Sequence, residues 1–480
     1  MRKNENKRIF SNLIWRFAER SGAQFVAFIV SIVLARMLSP DIYGTVALIN
    51  VFTSILQVFV DSGLGNALIQ KKDADDVDFS TVFYVNLLFC GALYTILFVC
   101  APLIAKFYHD MSLTALTRVV GITLIVSGIK NIQQAYVSRN MMFRKFFFST
   151  LGGTIAAAVV GISMAWAGYG AWALVAQQVI NVSIDTIILW ITVKWRPQRA
   201  FSMERLKGLF SYGWKLLMSS LIDIVYKNSR QLVIGKLYSS SDLAYYNKGR
   251  QFPNYVITNI NSAIDSVLFP VMAKAQDNRQ NVRQMTRKSI KVSAYIMAPL
   301  MMGLAFTADS VVRLLLTDKW MECVPYLRIF CITFMFWPIH TANLNAIKAM
   351  GRSDLFLKLE ILKKCVGVIL LFSTMWFGPM AMAYSMLVSS ITSQIINSWP
   401  NRKLLGYSYV EQMKDVLPSI LLSVVMGMVV WCISVTGLPV LPVFIMQVLF
   451  GAVIYIAGSA IFRLEAYLYL KRLLSSFVNK

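Results

Sequence analysis

The stretch STVFYVNLLFCGALYTILFVCAPLIA, residues 80–105, runs twenty-six residues without a charge. A membrane-crossing helix needs about 20 mostly apolar residues, so this segment reads as one span. Working outward, apolar stretches of the same length recur along the chain. There are fourteen, at about 12–35, 43–65, 80–105, 113–137, 147–168, 171–193, 212–235, 251–272, 290–308, 323–347, 358–377, 380–398, 416–436 and 440–462. Gly378-Pro379 separates the eleventh from the twelfth and reads as a tight turn. The period is too long for a barrel of alternating ~10-residue strands. Composition agrees: 57% of the 480 residues are hydrophobic and 15% are charged, against roughly 25% charged in soluble domains. The expected fold is an all-α integral membrane protein of about fourteen helices.

The net charge is +24, from 47 basic and 23 acidic residues. In a soluble chain this balance would suggest nucleic acid; here it reads as the basic bias of cytoplasmic loops, with no nucleic-acid partner. With the N-terminus inside, the outside loops hold Arg36, Lys106, Lys236, Lys248, Arg250, Arg313 and Lys319. The inside segments hold about four times as many, which places both termini in the cytoplasm. The basic start MRKNENKRIF leads into an apolar run too long for a cleaved signal peptide, so the first helix is expected to remain as an anchor. The connections are short, the longest about 273–289, and none could house a soluble catalytic module. The six cysteines include no C-x-x-C pair and read as small hydrophobes. His109 and His340 are the only histidines and do not make a His-based metal site; no metal or resident cofactor is expected.

The chain repeats itself. Phe10-Ser11 with Trp15-Arg16 matches Phe210-Ser211 with Trp214-Lys215. Ala35-Arg36-Met37-Leu38-Ser39 then matches Gly235-Lys236-Leu237-Tyr238-Ser239, and Asp41-Ile42 matches Asp242-Leu243. A weaker echo joins Gln134-Ala135 to Asn345-Ala346. Six spans per repeat make the halves parallel, related by an axis along the membrane normal. The expected organisation is an N-lobe over 1–200, a C-lobe over 201–400, and two appended helices with a cytoplasmic tail over 401–480.

Charge inside apolar stretches is costly and marks function. Arg16 and Arg20 share a face of the first span. The seventh carries Lys215, then Asp223, Lys227 and Arg230 as one stripe. Lys130 lies in the fourth. These cations are the candidate ligands for an anionic head group, and phosphate suits both arginine and lysine. Asp61, Asp185, Asp223 and Asp265 pair with the cations, carry a coupling ion, or hydrogen-bond neighbouring helices; the residues alone do not separate these roles. Asn50, Gln57, Asn86, Gln133, Gln177, Gln178, Asn181, Trp15 and Trp166 are polar and aromatic groups able to meet sugars. Asp73-Ala74-Asp75-Asp76 superficially matches a metal-binding acidic motif of a glycosyltransferase, but reads better as an acidic turn capping the next helix.

Five strings in order resemble the polysaccharide exporter (Wzx-like) family of the MOP superfamily, over nearly the whole chain. They are Leu34–Gly44, Asp61–Gln70, Ser138–Lys145, Gly168–Leu174 and Ala349–Arg352. The resemblance implies a transporter and no enzyme. It would flip an undecaprenyl-diphosphate-linked oligosaccharide to the outer leaflet of the bacterial inner membrane by alternating access, driven by H+ or Na+. It also implies partners in the polysaccharide polymerase and export machinery. A multidrug exporter of the same superfamily is the nearest alternative, and a membrane glycosyltransferase or polymerase the enzymatic one.

Overall fold

In the computed structural model residues 22–61 and 64–478 are described. They are helical, with no strand among them. The chain divides into two compact units at Ala244/Tyr245. The first contains α1 Gly22–Met37, followed by α2 Pro40–Val60, α3 Leu64–Gln70, α4 Asp76–Tyr108, α5 Ser112–Arg139, α6 Phe143–Trp166, α7 Ala171–Thr192 and α8 Met203–Leu237. The boundary falls just inside α9 Ser240–Lys274. The second unit continues with α10 Arg279–Phe306, α11 Ala308–Leu315, a 3-10 turn over Asp318–Cys323, α12 Val324–Met335, α13 Trp337–Ala349 and α14 Ser353–Thr374. It closes with α15 Pro379–Leu405, α16 Tyr409–Ser434, α17 Val440–Ile461 and α18 Glu465–Val478.

Within the described residues the apolar stretches are largely helical; residues 12–21 of the first lie outside them, 43–65 runs over α2 and α3, and 323–347 over α12 and α13. Ten spans among the described residues are long and apolar enough to cross a membrane by composition alone. α8, α14 and α15 have the length but carry charged or amide side chains along it. The stretch 323–347 is broken at Phe336, between α12 and α13. Pro338 has no N–H for the carbonyl a turn earlier, and its ring obstructs a continuous helix. Gly378 takes φ 101° before Pro379, a conformation that only glycine adopts freely, and this permits the sharp turn from α14 to α15.

The side-chain pattern is inside out relative to a soluble bundle. α17 exposes Leu449 (61%) and Val453 (64%) while burying Gln447 and Ser459. Gln447 donates to the Val430 carbonyl of α16 at 3.1 Å. With lipid outside, apolar groups lose nothing by exposure, and polar groups must find partners within the bundle. The molecule is a multi-pass membrane protein.

In the first unit α6 packs along α7, α4 along α5, and α5 on α7. At one end of this bundle Phe79, Phe83, Tyr136, Trp190 and Trp195 form an aromatic core. In the second unit α10 packs on α16 and α14 on α15. Arg287 meets Asp415 through two bonds of 2.7 and 2.8 Å, and Lys291 reaches Asp415 at 2.9 Å and Glu465 at 2.5 Å. These charges pin α16 and α18 to α10.

The repeat is visible in the helix ends. α1 stops at Met37 and α8 at Leu237; α2 begins at Pro40 and α9 at Ser240, a shift of 200 in both cases. The two turns touch, since the Ser241 hydroxyl donates to Asp41. A Cβ built at Gly44 would lie 1.8 Å from the Ser240 carbonyl oxygen, whereas one at Gly91 meets nothing within 4 Å. Gly44→Ala is therefore expected to lower thermal stability by about 1–3 kcal/mol through overpacking, and Gly91→Ala to be neutral or stabilising by about 0.5–1 kcal/mol. Equal melting temperatures for the two variants would show that the turns do not approach so closely.

Candidate functional site

Arg16 and Arg20 lie outside the described residues. The remaining intramembrane charges fall into three groups, each built within one unit.

The first is the α8 stripe. Lys215 is exposed. Lys227 bonds Asp223 one turn earlier at 2.6 Å, both partly exposed. Arg230 differs: it is only 6% exposed, and its Nε and Nη2 have no hydrogen-bond partner among the described residues. A guanidinium presents five donors and stays charged. Leaving two of its nitrogens unpaired in a buried setting is unfavourable unless an anion completes it.

The second group joins α5 to its neighbours. Lys130 Nζ lies 3.1 Å from Asp185 of α7, with side chains 17% and 9% exposed. The adjacent Asn131 donates to Asp61 of α2 at 3.2 Å, and Gln57 donates to the same carboxylate at 3.2 Å. Lys130 and Asp185 are thus brought together, and the Lys130 charge is already matched. Of the candidate sugar-binding amides, Asn86 donates to the Gly128 carbonyl at 3.1 Å and Gln133 to the Trp195 carbonyl at 3.1 Å. Both serve helix packing.

The third group is in the second unit. Asp265 of α9 accepts from Asn345 of α13 at 2.7 Å, and Thr341 donates to Asn261 at 2.6 Å. His340 Nδ1 lies 3.2 Å from the Asn397 amide of α15. Lys363 bonds Glu360 at 2.5 Å on α14. Of these, sequence reasoning reached only Asp265 as a site residue. The signal for the others was present: Asn261/Asp265 and Thr341/Asn345 are i, i+4 polar pairs within apolar stretches, and Glu360/Lys363 is an i, i+3 ion pair.

The acidic motif has a structural use. Asp75 caps α4 in a reciprocal capping box with Asp78. Asp76 accepts from the Trp195 indole at 3.0 Å, and the fully buried Asp78 binds Lys71 at 2.7 Å. Arg205 of α8 bonds Asp75, and with the Asp78 backbone N–H this holds the Asp75 carboxyl down to about 2. The pair therefore stays ionised across physiological pH. Arg139 donates to the Leu68 carbonyl at 2.7 Å and the Lys72 carbonyl at 2.7 Å, closing the end of α3. Asp75, Asp76 and Asp78 are committed to folding contacts.

The described residues form two units of membrane-length helices, the architecture of a polytopic membrane protein. A family model described as "Polysaccharide biosynthesis protein" matches residues 33–325, and the chain belongs to that family. It is 25% identical over 397 residues, 80% of each chain, to the teichuronic acid biosynthesis protein TuaB of Bacillus subtilis (strain 168). It is 21% identical over 411 residues, 83% of each chain, to the lipopolysaccharide biosynthesis protein WzxC of Escherichia coli (strain K12). The fold matches that of the lipid II flippase MurJ in an inward closed conformation, with a TM-score of 0.77 at 14% identity over 94% of this chain and 98% of that one.

Breaking a buried ion pair costs more than replacing it whole. Lys130→Met or Asp185→Leu alone is expected to cost about 3–5 kcal/mol, and the double variant much less. Thermal unfolding of purified protein reads this directly. A double variant as unstable as the worse single one would show that packing, not charge, was lost.

Proposed function

We propose that this chain flips an undecaprenyl-diphosphate-linked oligosaccharide across the bacterial inner membrane, feeding the synthesis of lipopolysaccharide, capsule or exopolysaccharide. The observation that carries the proposal is Arg230, nearly fully buried in a membrane-length helix with two guanidinium nitrogens unpaired among the described residues. A diphosphate supplies the charge and the paired oxygens such a group lacks. In this reading Lys215 and Lys227 share α8 with Arg230, Lys130 takes part as half of an ion pair, and Arg16 and Arg20, outside the described residues, are further cationic candidates from the sequence.

The family, and relatives named for teichuronic acid and lipopolysaccharide biosynthesis, support a polysaccharide precursor as cargo. The fold shared with a lipid II flippase supports a lipid-linked form. The parallel repeat read from the sequence supports alternating access as the transport cycle. The excess of basic residues in one set of loops supports cytoplasmic termini. The chain is a transporter in this proposal, with chemistry left to a polymerase and export partners, and an H+ or Na+ gradient driving the cycle. A buried arginine disfavours cationic drugs as cargo.

Deleting the gene should make the completed glycan-diphosphate-lipid accumulate on the cytoplasmic leaflet. Its unpolymerised arrival at the outer leaflet would instead point to a polymerase. Arg230→Met separates function from folding: removing an uncompensated buried charge should leave membrane levels and melting temperature equal to or above wild type, while export is lost. Full export by this variant would overturn the cationic site.

A further inference from the structure

α8 begins beside a groove. The segment 193–202 runs from α7 to α8 without helix, and its backbone is tied to α4. The Gln198 N–H donates to Ser80 Oγ at 2.8 Å, and the Ser202 N–H to Thr81 Oγ1 at 3.1 Å. One turn beyond the second anchor, Val85 of α4 and Leu206 of α8 line a space of about 520 Å3 within the first unit. Phe89, Phe210, Trp214 and Leu217 carry the same lining further along the two helices. From Leu206 to Leu217 is about 16 Å of helix at 1.5 Å per residue. That is about half of the ~30 Å hydrocarbon core, the depth of one leaflet.

The lining has two polar side chains among the described residues. Asn86 is spent on the Gly128 carbonyl. The other is Lys207, which is exposed and makes no ion pair among the described residues. Its basic neighbours are already matched, Lys71 by Asp78 and Arg205 by Asp75. They line a separate polar cleft, together with Glu204. Lys194 and Arg199, on the segment that leads into α8, are exposed and also make no ion pair among the described residues. Phe201, Met203, Phe210 and Trp214 follow in the chain, each 46–55% exposed. Basic and aromatic side chains in this order suit the interface between head groups and hydrocarbon.

We propose that this groove holds one acyl chain of an anionic glycerophospholipid, with the lipid phosphate paired to Lys207. Hydrocarbon fills an apolar slot of leaflet depth whichever lipid supplies it, and an unmatched cation at one end selects among lipids by charge. The four-carbon stem of a lysine can follow the apolar wall while its amine reaches the head-group level. One lysine balances the single charge of a phosphodiester. The loops at this end are the basic ones, so the leaflet concerned is the one the positive-inside rule assigns to the cytoplasm. Arg230, the group assigned to the cargo diphosphate, lies twenty-three residues further along α8, about 35 Å away. The two head groups therefore do not share a site, and the lipid is a resident of the transporter and not its cargo.

The test uses purified full-length protein in detergent micelles doped with phosphatidylglycerol or phosphatidylcholine, both carrying dibrominated acyl chains. Bromine quenches tryptophan fluorescence on contact, and subtracting the signal of Trp214→Phe isolates the groove. Quenching of Trp214 should saturate, with a half-saturating mole fraction about fivefold lower for phosphatidylglycerol than for phosphatidylcholine. Lys207→Gln, at an exposed position, should keep the wild-type melting temperature and lose the preference. Lys358→Gln, an exposed lysine of the second unit, should retain it. Equal half-saturation by the two lipids, or a preference that survives in Lys207→Gln, overturns the site. Unbrominated undecaprenyl phosphate serves as competitor. If it relieves the quenching at lower mole fraction than unbrominated phosphatidylglycerol, the groove belongs to the carrier lipid and the assignment to phospholipid fails. None of these readouts involves export, so the site can fail while the transport reading stands, and the reverse.

Discussion

Charge placed inside a bilayer must be matched locally, because neither water nor lipid tails will match it, and a charged side chain at mid-membrane costs at least about 2.5–3.5 kcal/mol on insertion scales. The interior of this protein is organised by that constraint. Lys130 and Asp185 tie α5 to α7; Gln57, Asn131 and Asp61 tie α2 to α5. Gln447 is spent on a single α16 carbonyl. Apolar packing holds the helices less selectively here, since a leucine is as well solvated by lipid as by protein. The polar contacts decide which helix faces which.

Against that background one unmatched charge stands apart. Arg230 is buried, and two of its guanidinium nitrogens find no partner among the described residues. A scaffold protein would gain stability by losing it.

Much of this was legible in the amino-acid string. The ten described spans follow from runs such as 80–105, because a continuous apolar segment of that length has few alternatives. The Gly378-Pro379 turn and the capping role of the acidic motif followed from residues with narrow conformational uses. The break at Phe336 carried a signal in Pro338, but apolar periodicity runs through it unchanged and hides it. The site was less legible, for a physical reason. A charged residue announces its cost but not its partner: Lys130 was visible as a cation, while its neutralisation by Asp185 depends on how α5 and α7 pack. Amides announce less still. Asn345 and Asn397 look like any helix-packing polar residue until their neighbours are known.

The sequence repeat and the turns at Met37/Pro40 and Leu237/Ser240, 200 residues apart, allow the two halves to be compared. Asp61, just past the end of α2, accepts from Asn131, and Asp265, inside α9, accepts from Asn345. In the first half Lys130 is paired with Asp185 and stands close enough to attract Asp61. In the second half Asp265 is met by the uncharged amide of Asn345 on α13. Among the described residues the two halves therefore hold their carboxylates by different means, one beside a cation and the other through a neutral donor.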